Sequence, residues 1–380
     1  MRILVLNHEF PPIGGGGGRA AEDVCRVLSR RGHEIKILTS HIKGLPREER
    51  RDGFHILRLA SLRTEPYKAG FPSMAAYVLA GLWAGRRLIR LFKPDLLHAH
   101  FAVPAGALAW MLARLTGVPY VLTVHLGDVP GGVPEKTGGW FRWLYPFTRP
   151  IWRDARRIVA VSEYTRQLAL KKYKAEIQVI PNGVDLSTLK PDLVHLNEPP
   201  RIVFAGRFMA QKDPLQLVQT LNALKQLQWQ CVMIGDGPLM QDVRRAVAES
   251  ALQERFQLTG WIDPQDVLDW FGRSDILFMP SRSEGLPVVG VQALAKGLAI
   301  VASRVGGFVD LVDHDKNGYL VRREDADQFS ALLSGLLSDP NRLLSFRNAS
   351  LEKARDFEID QVVREYENIF MSLPGGKGTV

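Results

Sequence analysis

The chain has 380 residues, 46% of them apolar and 23% charged, a balance that excludes a disordered chain and a single small module and suggests two domains of similar size. Its longest charge-free apolar runs, 74–85 and 101–113, fall short of the roughly 18 to 20 residues that span a bilayer. The net charge of +9 is uneven, with 29 Lys and Arg against 15 Asp and Glu in residues 1–190 and 20 against 25 in the rest. An anionic partner is therefore expected for the first half only, either an anionic membrane surface or an acidic glycan. Nucleic acid is not expected, because no recognised binding motif accompanies the charge. The start, Met1–Glu9, lacks a secretory apolar stretch. Cys25 and Cys231 lie far apart in apolar surroundings, as neither a disulfide framework nor a metal cluster. A cytoplasmic protein is expected.

In chain order, short apolar runs alternate with amphipathic stretches. Strands are predicted at Ile3–Leu6, Glu34–Leu38, His55–Leu59, Leu96–Ala99, Tyr120–Val124, Ile158–Val161 and Ile177–Ile180. Helices are predicted at Ala20–Arg31, Ser73–Phe92, Ala105–Leu115 and Tyr164–Lys172. A polar, proline-bearing stretch, Leu186–Pro200, reads as a linker and hinge, after which the alternation restarts. Strands are then expected at Ile202–Ala205, Cys231–Ile234, Phe256–Leu258, Ile276–Met279, Leu298–Val301 and Tyr319–Val321. Nearly continuous apolar strands separated by helices indicate parallel sheets covered on both faces. The expected class is α/β: domains at 1–185 and 201–357, a last helix at about Ile359–Ser372 crossing back to the first domain, and a disordered tail, Pro374–Val380.

In open α/β sheets, ligands sit beyond the carboxyl ends of the strands, so the post-strand turns carry the functional reading. The first turn holds five consecutive glycines, Gly14–Gly18, before a helix. Such a loop allows close backbone approach, and the helix start offers amides to a phosphate. Gly15, Gly16 and Gly17 are the candidate contacts; a plain mobile loop is the alternative. Arg19 and Ala20 stand where glycine would complete G-x-G-x-x-G, and no G-x-x-x-x-G-K-[ST] occurs. After Ala205 come Gly206 and two cations, Arg207 and Lys212, ahead of a helix opened by Asp213-Pro214, which suit a diphosphate or form a solvated basic loop. After Met279, Glu284 can accept from sugar hydroxyls or cap the helix that Pro287 opens in its first turn, and Gln292 falls inside that helix. His100 and His125 follow strands, as sugar contacts or as packed histidines. Glu9 and Asp128 share that rim.

Taken together, Gly206-Arg207 with Lys212, Gly235-Asp236-Gly237-Pro238, Gly260-Trp261-Ile262, Ser281–Gly297, Val305-Gly306-Gly307 and Asn317-Gly318 resemble, in order, the donor domain of retaining GT-B glycosyltransferases of the group 1 (family 4) type. The glycine loop, His98-Ala99-His100, Thr123-Val124-His125 and Ile180–Asp185 agree in the first half, so the likeness covers roughly residues 1–370. It implies two Rossmann-like domains facing each other across a cleft. Arg207 and Lys212 would hold the donor diphosphate, Glu284 the transferred hexose, and Gly206, Ile262, Gly285, Leu286 and Pro287 would line the donor pocket. Gln292 stands where the family has an acid on the nucleotide ribose, so it keeps hydrogen bonding but brings no charge. The resemblance further implies same-face substitution, in which the leaving phosphate takes the acceptor's proton.

No metal or cofactor is expected: Asp313-His314-Asp315 resembles a metal motif but precedes a turn. The partners expected are a nucleotide-diphosphate sugar and a glycan or lipid-linked acceptor. Two basic aromatic stretches, Ser73–Lys93 and Trp140–Arg156, suggest peripheral contact with an anionic membrane, or ordinary packing on the sheet. The competing classes are a nucleotide-sugar epimerase or pyridoxal-phosphate phosphorylase on the same fold, and a non-catalytic sugar-nucleotide binding protein.

Overall fold

The computed structural model describes the chain apart from residues 67–68, 134–140, 192 and 374–380, and apart from the side chains of 141–144. Trp140, Phe141 and Trp143 of the second aromatic stretch, and the expected disordered tail, therefore lie outside what is described. The chain divides into two units, Met1–Gly183 with Ile359–Val380, and Val184–Glu358.

The first unit is built on an eight-stranded sheet of β1 (Arg2–Leu6), β2 (Glu34–Ser40), β3 (Glu48–Arg51), β4 (Phe54–Leu59), β5 (Leu96–His100), β6 (Tyr120–Val124), β7 (Arg157–Ala160) and β8 (Ile177–Val179). The order is β3-β4-β2-β1-β5-β6-β7-β8, all parallel except β3. Side-chain alternation divides β1 between two cores. Leu4 and Leu6 join Tyr77, Leu108 and Leu112 on one face. Ile3 and Val5 join Val24, Leu28, Val363 and Phe370 on the other. Those partners belong to the helices Phe71–Phe92 and Ala107–Thr116, and to Gly16–Arg30 and Ile359–Met371. The last helix therefore belongs to the first unit although 175 residues of the second precede it. Arg31 fixes its polar side, pairing with Asp360 and, at 2.6 Å, Glu367.

β3 was not visible in the apolar pattern because it reads Glu-Glu-Arg-Arg. The Asp52-Gly53 turn creates it: both residues have positive φ, 51° and 83°, the conformation that reverses a tight hairpin. Its charges suit an unprotected sheet edge.

The second unit carries a six-stranded parallel sheet of β9 (Arg201–Ala205), β10 (Gln230–Ile234), β11 (Phe256–Gly260), β12 (Ile276–Met279), β13 (Ala299–Ser303) and β14 (Gly318–Val321). Its order is β11-β10-β9-β12-β13-β14. Successive strands run outward from β9 to one edge and then restart at β12 on its other side. The order thus reverses between β9 and β12, the position where such sheets open a ligand crevice. In the first unit the same reversal lies between β1 and β5.

Residues 186–200 are not a free linker. They belong to the second unit, held by a buried ion pair. The Asp275 carboxylate accepts from the Asn197 backbone at 3.2 Å, the Asn197 amide at 2.9 Å and the Arg201 backbone at 2.7 Å. Arg347, paired with Asp275, also donates to the His195 carbonyl. The chain passes between units at Gly183–Val184 and Glu358–Ile359.

Candidate functional site

In the second unit the turns after β9 and β12 flank the reversal and are stitched together. The Arg282 N–H donates to the Gln211 carbonyl at 2.7 Å, and the Gln211 amide donates to the Ser283 carbonyl at 3.0 Å. The Arg282 guanidinium holds the Asp213 carboxylate at 2.8 Å. This lacing brings two sequence-predicted residues into contact: Lys212 Nζ lies 2.7 Å from Glu284 Oε1. Glu284 is buried and Lys212 mostly so, with side-chain exposures of 5% and 18%. Arg207, half-buried on the same loop, has no ion pair or hydrogen bond to its guanidinium among the described residues. The loop after β9 thus carries one paired cation and one unpaired one, and charge-assisted hydrogen bonds from such groups suit an anion.

Glycines let these turns close. Gly206 opens the β9 turn, and a Cβ on Gly235 would stand 2.1 Å from its carbonyl oxygen. A Cβ on Gly306 (φ +54°) would stand 1.6 Å from the Glu284 carbonyl oxygen, and one on Gly307 2.1 Å from that of Gly285. The Gly306-Gly307 turn is therefore the floor under Glu284. Gly285 is half-buried, Leu286 and Pro287 are buried, and Pro287 is the N-cap of the helix Val288–Ala295 rather than part of its first turn. Gln292 is half-buried inside that helix, and Ile262 follows β11 in the turn whose Gly260 carbonyl accepts from Gly235 at 2.9 Å. The triplet 313–315 is engaged in the fold. Asp313 faces Lys353 at 3.6 Å, His314 Nδ1 accepts from Leu320 at 3.1 Å, and Asp315 pairs with Arg342.

In the first unit, residues after β1, β5 and β6 converge. The Asp128 carboxylate accepts from the Ala102 and His125 backbones, both at 2.8 Å. Asp128 is 4% exposed, so it braces two turns rather than forming part of a rim. Burial pushes its carboxyl up to about 7 against those hydrogen bonds. The His125 ring accepts in return from the Asp128 N–H. Burial lowers His125 to about 4, so the ring is neutral. With Nδ1 accepting, the proton belongs on Nε2, the atom without a partner. The ring stacks on Phe101 with centroids 4.3 Å apart.

His100 is 2% exposed and neither ring nitrogen has a partner among the described residues. Burial holds it well below the ordinary histidine range. The cavity between His100, His125, Asn182 and Tyr366 is about 10 Å³, room for one water and not for a hexose. His100 thus lies behind His125, with centroids 6.0 Å apart, and is not open to a sugar. Glu9, 23% exposed, faces His8 at 3.6 Å and the buried Arg63 at 3.8 Å.

Of the glycine loop, Gly15 is the N-cap of the helix Gly16–Arg30, with open space where its Cβ would lie, whereas a Cβ on Gly17 would stand 2.8 Å from the Phe101 ring. The strictest demand falls on Gly18, where a Cβ would be 1.7 Å from the Glu9 carbonyl oxygen.

Sequence reasoning missed Phe101, whose φ of +73° is strained for a side-chain-bearing residue and costs about 1–3 kcal/mol. It also missed the relay from Tyr366 through Thr123, 3.2 Å away, to His98 Nε2, 2.9 Å further on. No local pattern announces either; only the position of Phe101 directly after a strand could have drawn attention.

Two parallel-sheet α/β units, each with its loops gathered at a strand-order reversal, define the GT-B class of fold. The family model "Glycosyltransferase Family 4" matches residues 14–188, and "Glycosyl transferases group 1" matches residues 199–339. The chain belongs to the group 1 glycosyltransferases of GT-B fold. It is 25% identical to an uncharacterized glycosyltransferase of Methanocaldococcus jannaschii, over 98% of this chain and 99% of that one. It is 26% identical to a GDP-mannose-dependent alpha-(1-6)-phosphatidylinositol monomannoside mannosyltransferase of Mycobacterium tuberculosis, over 92% and 93%. Among solved structures, sucrose-phosphate synthase of Thermosynechococcus elongatus superposes with a TM-score of 0.85 at 20% identity, covering 97% of this chain and 98% of that one. HepE of Anabaena, in complex with UDP-glucose, does so at 0.77 and 16%, covering 98% and 100%.

Proposed function

We propose that this glycosyltransferase moves a hexose from a nucleoside-diphosphate sugar to a glycan or lipid-linked acceptor, with retention of anomeric configuration and without a metal. The observation that carries this reading is the Lys212–Glu284 contact at the sheet reversal, with Arg207, whose guanidinium has no partner among the described residues, on the same loop as Lys212. The pair holds both side chains in place before a donor arrives. Once bound, the diphosphate takes Lys212 and Arg207, and the hexose hydroxyls take Glu284. The bond from the anomeric carbon to the diphosphate oxygen breaks through an oxocarbenium-like state. Negative charge grows on the leaving phosphate, where fixed cations act most strongly. The acceptor hydroxyl bonds to the same face of that carbon, and its proton passes to the departing phosphate. His125 offers its Nε2–H to a polar group, held by Asp128 and backed by His100. Gln292 hydrogen-bonds the ribose without adding charge.

A GDP-mannose-dependent relative and a UDP-glucose-bound neighbour support a nucleotide-sugar donor and leave the base open between guanosine and uridine. Incubating the protein with UDP- and GDP-hexoses, a lipid-linked saccharide and a chelator tests the reading. Acceptor-dependent release of nucleoside diphosphate is expected, with a product whose anomeric configuration, read by NMR coupling, is that of the donor. Inversion, or a need for divalent cation, would overturn the retaining, metal-free assignment. A donor epimerised with no acceptor present would overturn transfer itself.

A further inference from the structure

Phe101 directly follows β5 with φ +73° and ψ 130°, a conformation that glycine adopts far more readily than a residue with a side chain. Its neighbours hold it there on both sides. The Phe101 N–H donates to the Thr123 carbonyl at 3.0 Å, and its carbonyl accepts from Gly106 at 2.8 Å. The next N–H, that of Ala102, donates to the Asp128 carboxylate at 2.8 Å. Strain persists where surrounding bonds over-determine a residue, and such places cluster at functional sites.

What the strained backbone achieves is the placement of a ring. The Phe101 ring stacks on His125, with centroids 4.3 Å and planes 27° apart, and meets His8 edge-on at 5.3 Å. Its tip lies against Gly17, where a Cβ would stand 2.8 Å from Phe101 Cζ and 3.1 Å from the His125 ring. One ring thus joins the turns after β1, β5 and β6. An imidazole needs two constraints to aim one nitrogen in one direction, because its χ2 torsion is broad. The Asp128 N–H, bonded to the His125 ring, supplies one at an edge. A flat neighbour across the ring face supplies the other, and an aliphatic side chain has no such face to offer.

We propose that Phe101 is a positioning residue for glycosyl transfer, its strained backbone holding a ring that fixes the plane of the His125 imidazole against the glycine loop. This rests on the reading in which His125 offers its Nε2–H to a polar group of the reactants. Asp128 sets which nitrogen carries the proton, and Phe101 sets where that proton points. Phe101 acts through His125 rather than on the reacting atoms.

Two variants separate placement from bulk: Phe101→Leu keeps an apolar side chain on the strained backbone, and Phe101→Gly relieves the backbone while deleting the ring. Isotope-edited NMR of the histidine ring nitrogens in the full chain is read beside steady-state kinetics. A single neutral His125 tautomer, protonated at Nε2, is expected in the wild type. In both variants the two nitrogen shifts are expected to converge as the ring rotates and the tautomers mix. Turnover at saturating substrates is expected to fall at least tenfold, with the donor KM unchanged because the diphosphate is gripped in the second unit. The melting temperature of Phe101→Gly is expected to stay near that of the wild type, since relieved strain offsets lost ring contacts. A single unmoved tautomer in both variants would overturn the proposal, as would wild-type turnover. Turnover lost only in proportion to folded protein would also overturn it, making Phe101 a packing residue. A wild-type chain that transfers no hexose would overturn the activity itself and leave the tautomer spectra to decide on Phe101.

Discussion

Glu284 and Lys212 lie 72 positions apart and meet at 2.7 Å, so each substitution reports on both partners. Glu284→Gln keeps the shape and a hydrogen-bond acceptor for Lys212 but removes the charge. It is expected to retain the fold and to lower turnover, with donor saturating, at least tenfold. Lys212→Ala should slow turnover by about 10². It should also lower thermal stability by about 1–3 kcal/mol, because the buried carboxylate loses its partner. Wild-type turnover in either variant would remove these residues from the reaction. Asp128 illustrates a different kind of burial. Asn cannot accept with both side-chain atoms, so Asp128→Asn is expected to cost about 1–3 kcal/mol in denaturant unfolding.

The same cluster sets a pH dependence. Burial holds His98 at about 3 and His125 at about 4, so between those values and the ordinary 6.5 the unfolded chain binds protons that the folded one refuses. Stability falls as pH drops through that window, by about 2 kcal/mol for each of the two between pH 6.5 and 5. His100, shifted the same way, adds to the loss. Asp128, raised to about 7, is protonated in the fold first and opposes it. A melting temperature lower at pH 5 than at pH 7.5 is expected, and an unchanged one would contradict neutral burial of the histidines.

At the scale of elements, the apolar runs reveal most of both sheets because a parallel strand buried on two faces needs little but aliphatic side chains. Ile276–Met279 is read to the residue, and Glu34–Ser40 only two residues short. What the pattern could not reveal is made by turns and charges. β3 depends on the Asp52-Gly53 conformation, and the 186–200 segment depends on the Asp275–Arg347 pair far along the chain. Legibility of the site follows the same division. Arg207, Lys212 and Glu284 announce themselves because they follow strands. The burial of His100 and the inward turn of Asp128 arise from tertiary packing that spacing does not encode. The Gly306-Gly307 turn is the element on which the 281–286 loop rests. Gly306→Ala would press a methyl group into the Glu284 carbonyl, so it is expected to displace the 281–286 loop. The expected readout is loss of donor binding at a temperature where the protein remains folded; unaltered binding would show that the loop can yield.

At the scale of the whole molecule, the first unit is completed only by the end of the chain. Ile359, Val362, Val363, Tyr366, Ile369 and Phe370 are buried in the core that also holds Ile3, Val5 and Leu28. Each such side chain contributes about 1.5–3 kcal/mol by burial. A chain ending at residue 358 is therefore expected to lose the calorimetric transition of the first unit, whereas an intact transition would show that this helix is dispensable. Division into two units is legible in the sequence as a repeated alternation; the return of the helix is hinted at only by its position after the second set of strands.

The central proposal is that, in a pocket of the second unit, positive charge grips a diphosphate and an acid holds the sugar. Isothermal titration calorimetry of UDP- and GDP-hexoses against the wild type, Arg207→Ala and Lys212→Ala tests it most directly. Saturable binding of one nucleotide sugar by the wild type, weakened at least tenfold in both variants, is the predicted result. Equal affinity in all three proteins would contradict it.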